Sequence, residues 1–104
     1  MNLTNHLLRQ RSWSLKTFGP FGPDRNSGIL KHLEKEIEEV RKCPSDITEW
    51  MDIVILAFHG AMNAGYSPAG IAAALETKQL KNEARVWPDY RTVPAGEPIE
   101  HVRG

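Results

Sequence analysis

Hydrophobic positions in the middle of the chain repeat with the period of an α-helix. Between Ser27, a plausible N-cap, and Lys42, they recur at every third or fourth position and form one stripe. The stripe consists of Ile29, Leu30, Leu33, Ile37 and Val40. Glu34 and Glu38 lie on one flank of it, where the acids of a helix usually form a solvated face. The pattern predicts an amphipathic helix with one buried face.

A second helical segment, from about Ile47 to Ala64, is apolar on nearly every side. Ser45 or Asp46 can serve as its N-cap. A helix that is apolar all round is normally buried, so we expect it to be the central helix of the fold. Its polar positions form one narrow strip: Glu49, Asp52, His59 and Asn63. Charged side chains on a buried helix require a partner or a metal ion.

Four acids of these two helices stand in pairs that share a helix face. Glu36 and Glu39, which border the apolar stripe of the first helix, are spaced i, i+3, and so are Glu49 and Asp52. The residues Cys43 to Asp46 have the chemistry of a turn, which predicts an antiparallel hairpin that brings the four carboxylates together. Clustered oxygens of this kind are the ligands that hard divalent cations prefer, above all Mg2+.

A third helix is predicted to start at Ser67 as N-cap, with Pro68 at its first position, and to run to about residue 85. Ile71 and Leu75 mark its inner face. The same face continues in polar side chains: Lys78, Asn82 and Arg85, with Lys81 beside them. Lysine and arginine side chains beside a metal ion commonly bind polyphosphates. The alternative to phosphate binding is that these are ordinary surface side chains, and for Lys81 alone the two interpretations are equally favoured.

The two ends of the chain are less regular. Asn2 to about Leu15 predicts a short amphipathic helix, and Thr17 to Asp24, rich in glycine and proline, predicts a loop. Side chains of this region could sandwich and hydrogen-bond a nucleobase: Trp13, Phe18 and Phe21 with Ser12, Ser14 and Lys16. Composition alone favours the alternative, in which the aromatic rings fill a small core or a subunit interface. From Val86 onward, prolines predict an irregular tail.

Composition narrows the class of protein. Residues 1–104 are expected to form one domain, with an N-terminal part (1–26), a helical core (27–85) and a tail (86–104). The 13 basic and 13 acidic residues give no net charge, which argues against a nucleic-acid-coating protein. The single Cys43 excludes an intramolecular disulfide and fits a reducing cytoplasm. No signal peptide or transmembrane run is visible. An apolar helix in so short a chain suggests that subunits share a core.

Several motifs resemble one enzyme superfamily. Residues 33–40 (LEKEIEEV) followed by 49–54 (EWMDIV) resemble the ExxE…ExxD signature of the MazG-type all-α nucleotide pyrophosphohydrolases. Residues 78–89 (KQLKNEARVWPD) resemble the downstream Lys/Asn/Arg element of that superfamily. Together with 13–20 (WSLKTFGP) and 99–103 (IEHVR), they look like the dATP/dGTP diphosphohydrolase branch, which includes the phage MazZ enzymes. The resemblance spans nearly the whole chain.

The resemblance implies a small all-α helical bundle whose core is completed by oligomerisation, as a dimer or a tetramer. Such enzymes cleave a nucleoside triphosphate between the α and β phosphates, and this branch acts on dATP and dGTP. The implied cofactor is Mg2+, with Mn2+ or Co2+ as substitutes and two or three ions per site. No nucleic-acid or membrane partner is implied. The expected location is the cytoplasm, of the host if the chain is phage-encoded, where the MazZ setting would feed a 2-aminoadenine pathway.

The resemblance also suggests a role for each candidate residue. The metal ligands and catalytic acids would be Glu36, Glu39, Glu49 and Asp52. One ion and a carboxylate, for which Glu39 is the candidate, would activate the water that attacks the α phosphorus. The phosphate-binding residues would be Lys78, Lys81, Asn82 and Arg85. The candidates for binding base or sugar are Trp13, Ser14, Lys16, Phe18, His59 and Asn63.

The chain departs from the family pattern in one respect, and the sequence leaves two alternative functions open. Only nine residues, Val40 to Thr48, separate the acidic pairs, fewer than in most MazG-type chains, so the two helices must be joined by a tight turn. A different nucleotide hydrolase, dUTPase-like or acting on damaged nucleotides, could use the same helices. A non-enzymatic helical interaction module would show no tight Mg2+ or Mn2+ binding, and its acids would serve only solubility.

Overall fold

A computed structural model describes residues 2–103 of the chain, and the fold over this range is all-helical, as predicted. The helices are α1 (Leu3–Phe18), α2 (Asn26–Lys42), α3 (Ile47–Asn63) and α4 (Pro68–Ala84), with single 3-10 turns at Pro23–Arg25 and Tyr90–Thr92. No described helix is long and apolar enough to cross a membrane. The architecture is a small helical bundle.

The chain divides into two compact units, and the boundary falls inside α4. The first unit is Met1–Ala73 and the second is Ala74–Gly104. The expectation of a single domain stays a prediction.

Helix α1 is longer than its pattern predicted. It extends three residues beyond Leu15 and ends at Phe18, so Thr17 and Phe18 are helical and not part of the loop. Gly19 terminates it with a φ of 86°, a backbone conformation that favours glycine. The N–H of Gly19 donates to the carbonyl oxygen of Leu15 at 3.2 Å, which satisfies one of the last carbonyls of the helix.

The predicted helix starts are correct at two helices and wrong at a third. Asp46 caps α3, because its Oδ1 accepts from the N–H of Thr48 at 2.9 Å. The Oγ of Ser67 accepts from the N–H of Gly70 at 3.1 Å, as expected for an N-cap of α4. Ser27 was predicted to cap α2, but it lies inside the helix, which continues directly from the preceding 3-10 turn.

The core of the first unit is small, and α3 is not the buried helix that its sequence predicted. Leu7, Met62 and Ile71 form the buried cluster, with Phe58 and other apolar side chains packed against it. Along α3 several apolar side chains are 38–65% exposed: Ile47, Trp50, Met51 and Val54. In the second unit the predicted inner residue Leu75 is also half-exposed. The physical reason is that α1 and α2 contact only part of the surface of α3.

Candidate metal centre and adjoining cleft

Helices α2 and α3 form the predicted tight hairpin. Four residues join them, and α3 packs back against α2. At the turn, the N–H of Asp46 donates to the carbonyl oxygen of Cys43 at 3.1 Å. The indole Nε1 of Trp50 donates to the carbonyl oxygen of Pro44 at 2.9 Å, which ties the first turn of α3 to the loop. The short connection places the acid-bearing turns of the two helices opposite each other.

Three acids from the two helices converge. One carboxylate oxygen from each of Glu36, Glu49 and Asp52 lies within 4.8 Å of the other two. Two oxygens on opposite sides of an octahedral Mg2+ lie about 4.2 Å apart, since each metal–oxygen distance is about 2.1 Å. Small side-chain rotations would therefore suffice to close the three carboxylates on one cation. The chemistry of the donor set, oxygen only, fits a hard divalent metal.

Mutual repulsion of the acids is visible at Glu49. Its carboxyl pKa is raised, first by desolvation and then by the negative charges of Asp46, Asp52, Glu39 and Glu36. The oxygens of Glu39 are not among the three that converge, although Glu39 belongs to the same electrostatic neighbourhood. A bound cation would remove this repulsion, which is a second reason why the arrangement fits a metal.

The acids assigned to the surface are indeed solvated. Glu34 and Glu38 are exposed, and Glu38 pairs with Arg41 on the same helix at 3.1 Å. By contrast, the Glu36 side chain is only 14% exposed. The two flanks of α2 therefore differ in the way that the position of the apolar stripe predicted.

His32 is a further candidate residue of the metal centre, which the sequence patterns did not indicate. Its Nε2 lies 3.2 Å from Oε1 of Glu36. A hydrogen bond from a neighbouring side chain commonly orients a metal-binding carboxylate. The available signal was the spacing i, i+4 from Glu36, which places the two side chains on one helix face.

A cleft of about 200 Å3 adjoins the converging acids. Glu36 and Asp52 line one part of it, and Trp13 and Phe18 from α1 line another. The remaining lining residues are Ser14, His32, Ile55, Leu56 and His59. The fold therefore brings four of the six base-site candidates to the same cleft as two of the four acids.

Ser14 is unusual within this cleft. It is completely buried, and its hydroxyl oxygen is the one buried side-chain polar atom among residues 2–103 that has no hydrogen-bond partner. An unsatisfied buried hydroxyl costs about 1–3 kcal/mol. This hydroxyl lies at the wall of the cleft and has no partner within the described residues.

The aromatic rings of Trp13, Phe18 and His59 line the cleft. Trp13 and Phe18 meet edge to face with centroids 5.2 Å apart, and each is about half-exposed. His59 lies 5.5 Å from Phe18 and 5.4 Å from Phe21. Burial, with a smaller contribution from the charge of Arg25, lowers the pKa of His59, so its ring is neutral at pH 7. Such rings offer stacking surfaces to a flat ligand.

Asn63, another base-site candidate, is buried and already bonded within the protein. Its Oδ1 accepts from the N–H of Gly22 at 3.3 Å, and its Nδ2 donates to Oδ1 of Asn26 at 3.0 Å. The Nδ2 of Asn26 in turn donates to the carbonyl oxygen of Gly60 at 3.0 Å. This chain of bonds fastens the Gly/Pro loop to α2 and α3. The last candidate, Lys16, is exposed on α1.

The candidate phosphate ligands belong to α4 and the residue that follows it, in the second unit. Lys78 and Lys81 are exposed, whereas Asn82 and Arg85 are partly buried. The Arg85 Nη1 donates to Oδ1 of Asn82 at 3.2 Å. The guanidinium thus has a neutral partner within the unit, and its charge remains available to an anion.

The fold and the site define an all-α protein with a candidate divalent-cation centre beside an aromatic cleft. The family model of the dATP/dGTP pyrophosphohydrolases matches residues 7–103, and the chain belongs to this family. It is therefore an enzyme of the nucleoside triphosphate pyrophosphohydrolase class. Comparison with curated proteins and with solved structures gives no match.

Proposed function

We propose that this enzyme hydrolyses dATP and dGTP to the monophosphate and pyrophosphate at a divalent-metal centre formed by Glu36, Glu39, Glu49 and Asp52. The observation that carries the proposal is the convergence of three of these carboxylates within 4.8 Å, next to a cleft lined by aromatic rings. Membership of the family supports the choice of purine deoxynucleotides as substrates.

The proposed cofactor is Mg2+, with Mn2+ or Co2+ as substitutes and two or three ions per site. When bound, such ions neutralise phosphate charge and increase the acidity of a coordinated water. Glu36, Glu49 and Asp52 would hold them, because their oxygens already converge and their mutual repulsion is relieved by a cation.

Glu39 would act on the water. Its carboxylate belongs to the acidic neighbourhood but not to the converging three, so it can accept a proton from the attacking water. The new bond joins the water oxygen to the α phosphorus, and the bond from that phosphorus to the bridging oxygen breaks. Lys78, Lys81 and Arg85 would bind the two phosphates that leave as pyrophosphate, and Asn82 would hydrogen-bond phosphate or sugar.

The cleft would hold the nucleoside. Trp13 and Phe18 offer ring faces for stacking on the base, and the unpartnered Ser14 hydroxyl can hydrogen-bond the base or the sugar. Lys16 and the neutral ring of His59 are further candidates. Asn63 would contribute by fixing the loop, since both ends of its amide are already bonded.

We further propose that the chain assembles as a dimer or a tetramer. The exposed apolar surface of α3 would then be buried between subunits, which completes the core that one chain leaves open. By family resemblance we place the enzyme in the cytoplasm, and a phage 2-aminoadenine pathway is the corresponding biological setting.

The decisive experiment is hydrolysis of each of the eight common ribo- and deoxynucleoside triphosphates with Mg2+ in water labelled with 18O. The proposal predicts turnover of dATP and dGTP, equimolar pyrophosphate, and the label in the monophosphate, because water attacks the α phosphorus. Label in the pyrophosphate would contradict it. Preference for dUTP would favour a dUTPase-like enzyme. No turnover and no thermal shift with Mn2+ plus nucleotide would favour the interaction module.

A further inference from the structure

The C-terminal tail returns to the end of α4 and is fixed there. The N–H of Val102 donates to the carbonyl oxygen of Val86 at 2.7 Å. The ring of His101 meets that of Trp87 edge to face, with centroids 5.8 Å apart. The indole Nε1 of Trp87 donates to the carbonyl oxygen of Asn82 in the last turn of α4 at 2.7 Å. His101 and its neighbours therefore have a defined place beside the helix end.

This arrangement gathers positive charge without a carboxylate partner. Burial is the main cause that lowers the pKa of His101, and the charges of Arg85, Arg103 and Lys78 lower it further, while Glu100 opposes them. The backbone bond between Val102 and Val86 places the tail beside Arg85, and the three cations act on the ring of His101 through their charge. Among residues 2–103 none of the three forms an ion pair with an acid. By contrast, Arg91 of the same tail is paired with Asp89 at 2.7 Å.

Cations that converge without acidic partners repel one another and are stabilised by a bound anion. The negative end of a helix explains a preference for a cation at Arg85. The charge of the helix end does not explain why the tail brings Arg103 and His101 to the same place. A group with several negative oxygens would satisfy the donors from both segments at once.

We propose that His101 and Arg103 of the tail complete, with Lys78 and Arg85, a site for the condensed phosphate that the reaction releases. The inference rests on the proposed function, which assigns Lys78, Lys81 and Arg85 of α4 and the residue after it to the leaving phosphates. The new element is that the tail supplies two further ligands. Its ligand class is a diphosphate or triphosphate chain, either free or as part of a nucleotide.

Protonation of His101 should be coupled to binding. In the free protein its surroundings favour the neutral ring, and the groups that face it are Lys78, Arg85, Arg103 and Glu100. A polyphosphate reverses the local charge, so the ring takes up one proton from the solvent as the anion binds. The imidazolium then donates a hydrogen bond to a phosphate oxygen.

The test uses the full-length protein and inorganic pyrophosphate without metal. The pKa of His101 is followed by NMR of its ring with and without pyrophosphate, and affinity is measured by calorimetry in two buffers of different ionisation enthalpy. We expect the pKa of His101 to rise on binding, with net proton uptake that His101→Gln abolishes. Arg103→Gln should weaken binding about tenfold, and the paired Arg91→Gln should leave it unchanged.

The outcomes separate this inference from the proposed function. If pyrophosphate leaves the pKa of His101 unchanged and Arg103→Gln binds like the native protein, the tail is not part of the site. If Lys78→Ala and Arg85→Ala then still abolish pyrophosphate binding, the proposed function stands and the tail assignment fails. Equal loss with Arg91→Gln would also overturn the proposal, because it would indicate general attraction to positive charge. Comparing dGMP with dGTP distinguishes a phosphate chain from a nucleoside as the bound group.

Discussion

The imidazole of His32 lies 3.2 Å from the carboxylate of Glu36, one turn away on α2. We expect this contact to hold Glu36 in the orientation that metal binding needs. His32→Ala should weaken Mn2+ binding about tenfold, measured by calorimetry. His32→Gln, which can still hydrogen-bond, should recover part of the affinity. His6→Ala is the matched control, since His6 makes the same kind of i, i+4 contact on α1, with Gln10. Equal affinity of His32→Ala and the native protein would remove the contact from the metal centre.

A second prediction tests the metal ligands directly. Asp52→Asn keeps the shape of the side chain but removes its charge, so turnover of dATP and dGTP should fall at least about a hundredfold. Circular dichroism should show unchanged helix content, because Asp52 is exposed. Glu38→Gln is the control, since Glu38 pairs only with Arg41 on the surface. Near-normal turnover of Asp52→Asn would disprove the metal assignment.

A third prediction follows from the raised pKa of Glu49. A carboxyl whose pKa is higher in the folded than in the unfolded state favours folding most when it is protonated. The contribution of Glu49 to the stability of the metal-free protein should therefore decline as pH rises from below 4.5 through the raised pKa, and it is measured as the difference in stability between the native protein and Glu49→Gln. At pH 7, Mg2+ should raise the melting temperature. Glu49→Gln should raise the metal-free melting temperature and reduce the increase with Mg2+. A melting temperature insensitive to both changes would contradict the repulsion.

A fourth prediction concerns the buried Ser14 hydroxyl. Ser14→Ala removes an unsatisfied polar atom, so the free protein should be equally stable or up to about 1–3 kcal/mol more stable. The same change should weaken binding of dGTP, because the ligand loses a hydrogen-bond partner. Chemical denaturation and calorimetry measure the two effects. Ser12→Ala, an exposed position of the same helix, should change neither. A loss of stability with unchanged nucleotide binding would show that Ser14 serves packing alone.

A fifth prediction concerns assembly. Light scattering at micromolar concentration should give the mass of a dimer or a tetramer, which is two or four times the 11.7 kDa of one chain. Met51→Glu, which places a charge among the exposed apolar residues of α3, should shift the protein toward monomer. Lys42→Glu is the control for an added acid on the exposed surface. A monodisperse monomer that still hydrolyses dATP or dGTP would refute the shared core.

Local sequence patterns predicted the four helices, the hairpin and the convergence that the structure shows for Glu36, Glu49 and Asp52. Asp46 and Ser67 act as N-caps because a short side chain bonds the nearest free backbone N–H, which is a local interaction. The pairing of Glu49 with Asp52 follows from the helical repeat alone. Two predicted helix boundaries were wrong, and both are set by local interactions. Helix α1 continues beyond its apolar pattern and ends only at Gly19, and α2 starts one residue before Ser27.

Contacts between side chains of different helices could be read only from the folded structure. His32 reaches Glu36 on one helix, but both share a cleft with Trp13 because α1 packs against α3. Ser14 and Asn63 read alike as polar candidates, yet one is buried without a partner and the other is fully bonded within the protein. Residues far apart in the chain are brought together by the packing of α3 against α1 and α2, which no local pattern encodes. The exposed apolar face of α3 is the basis for the prediction that chains contact one another.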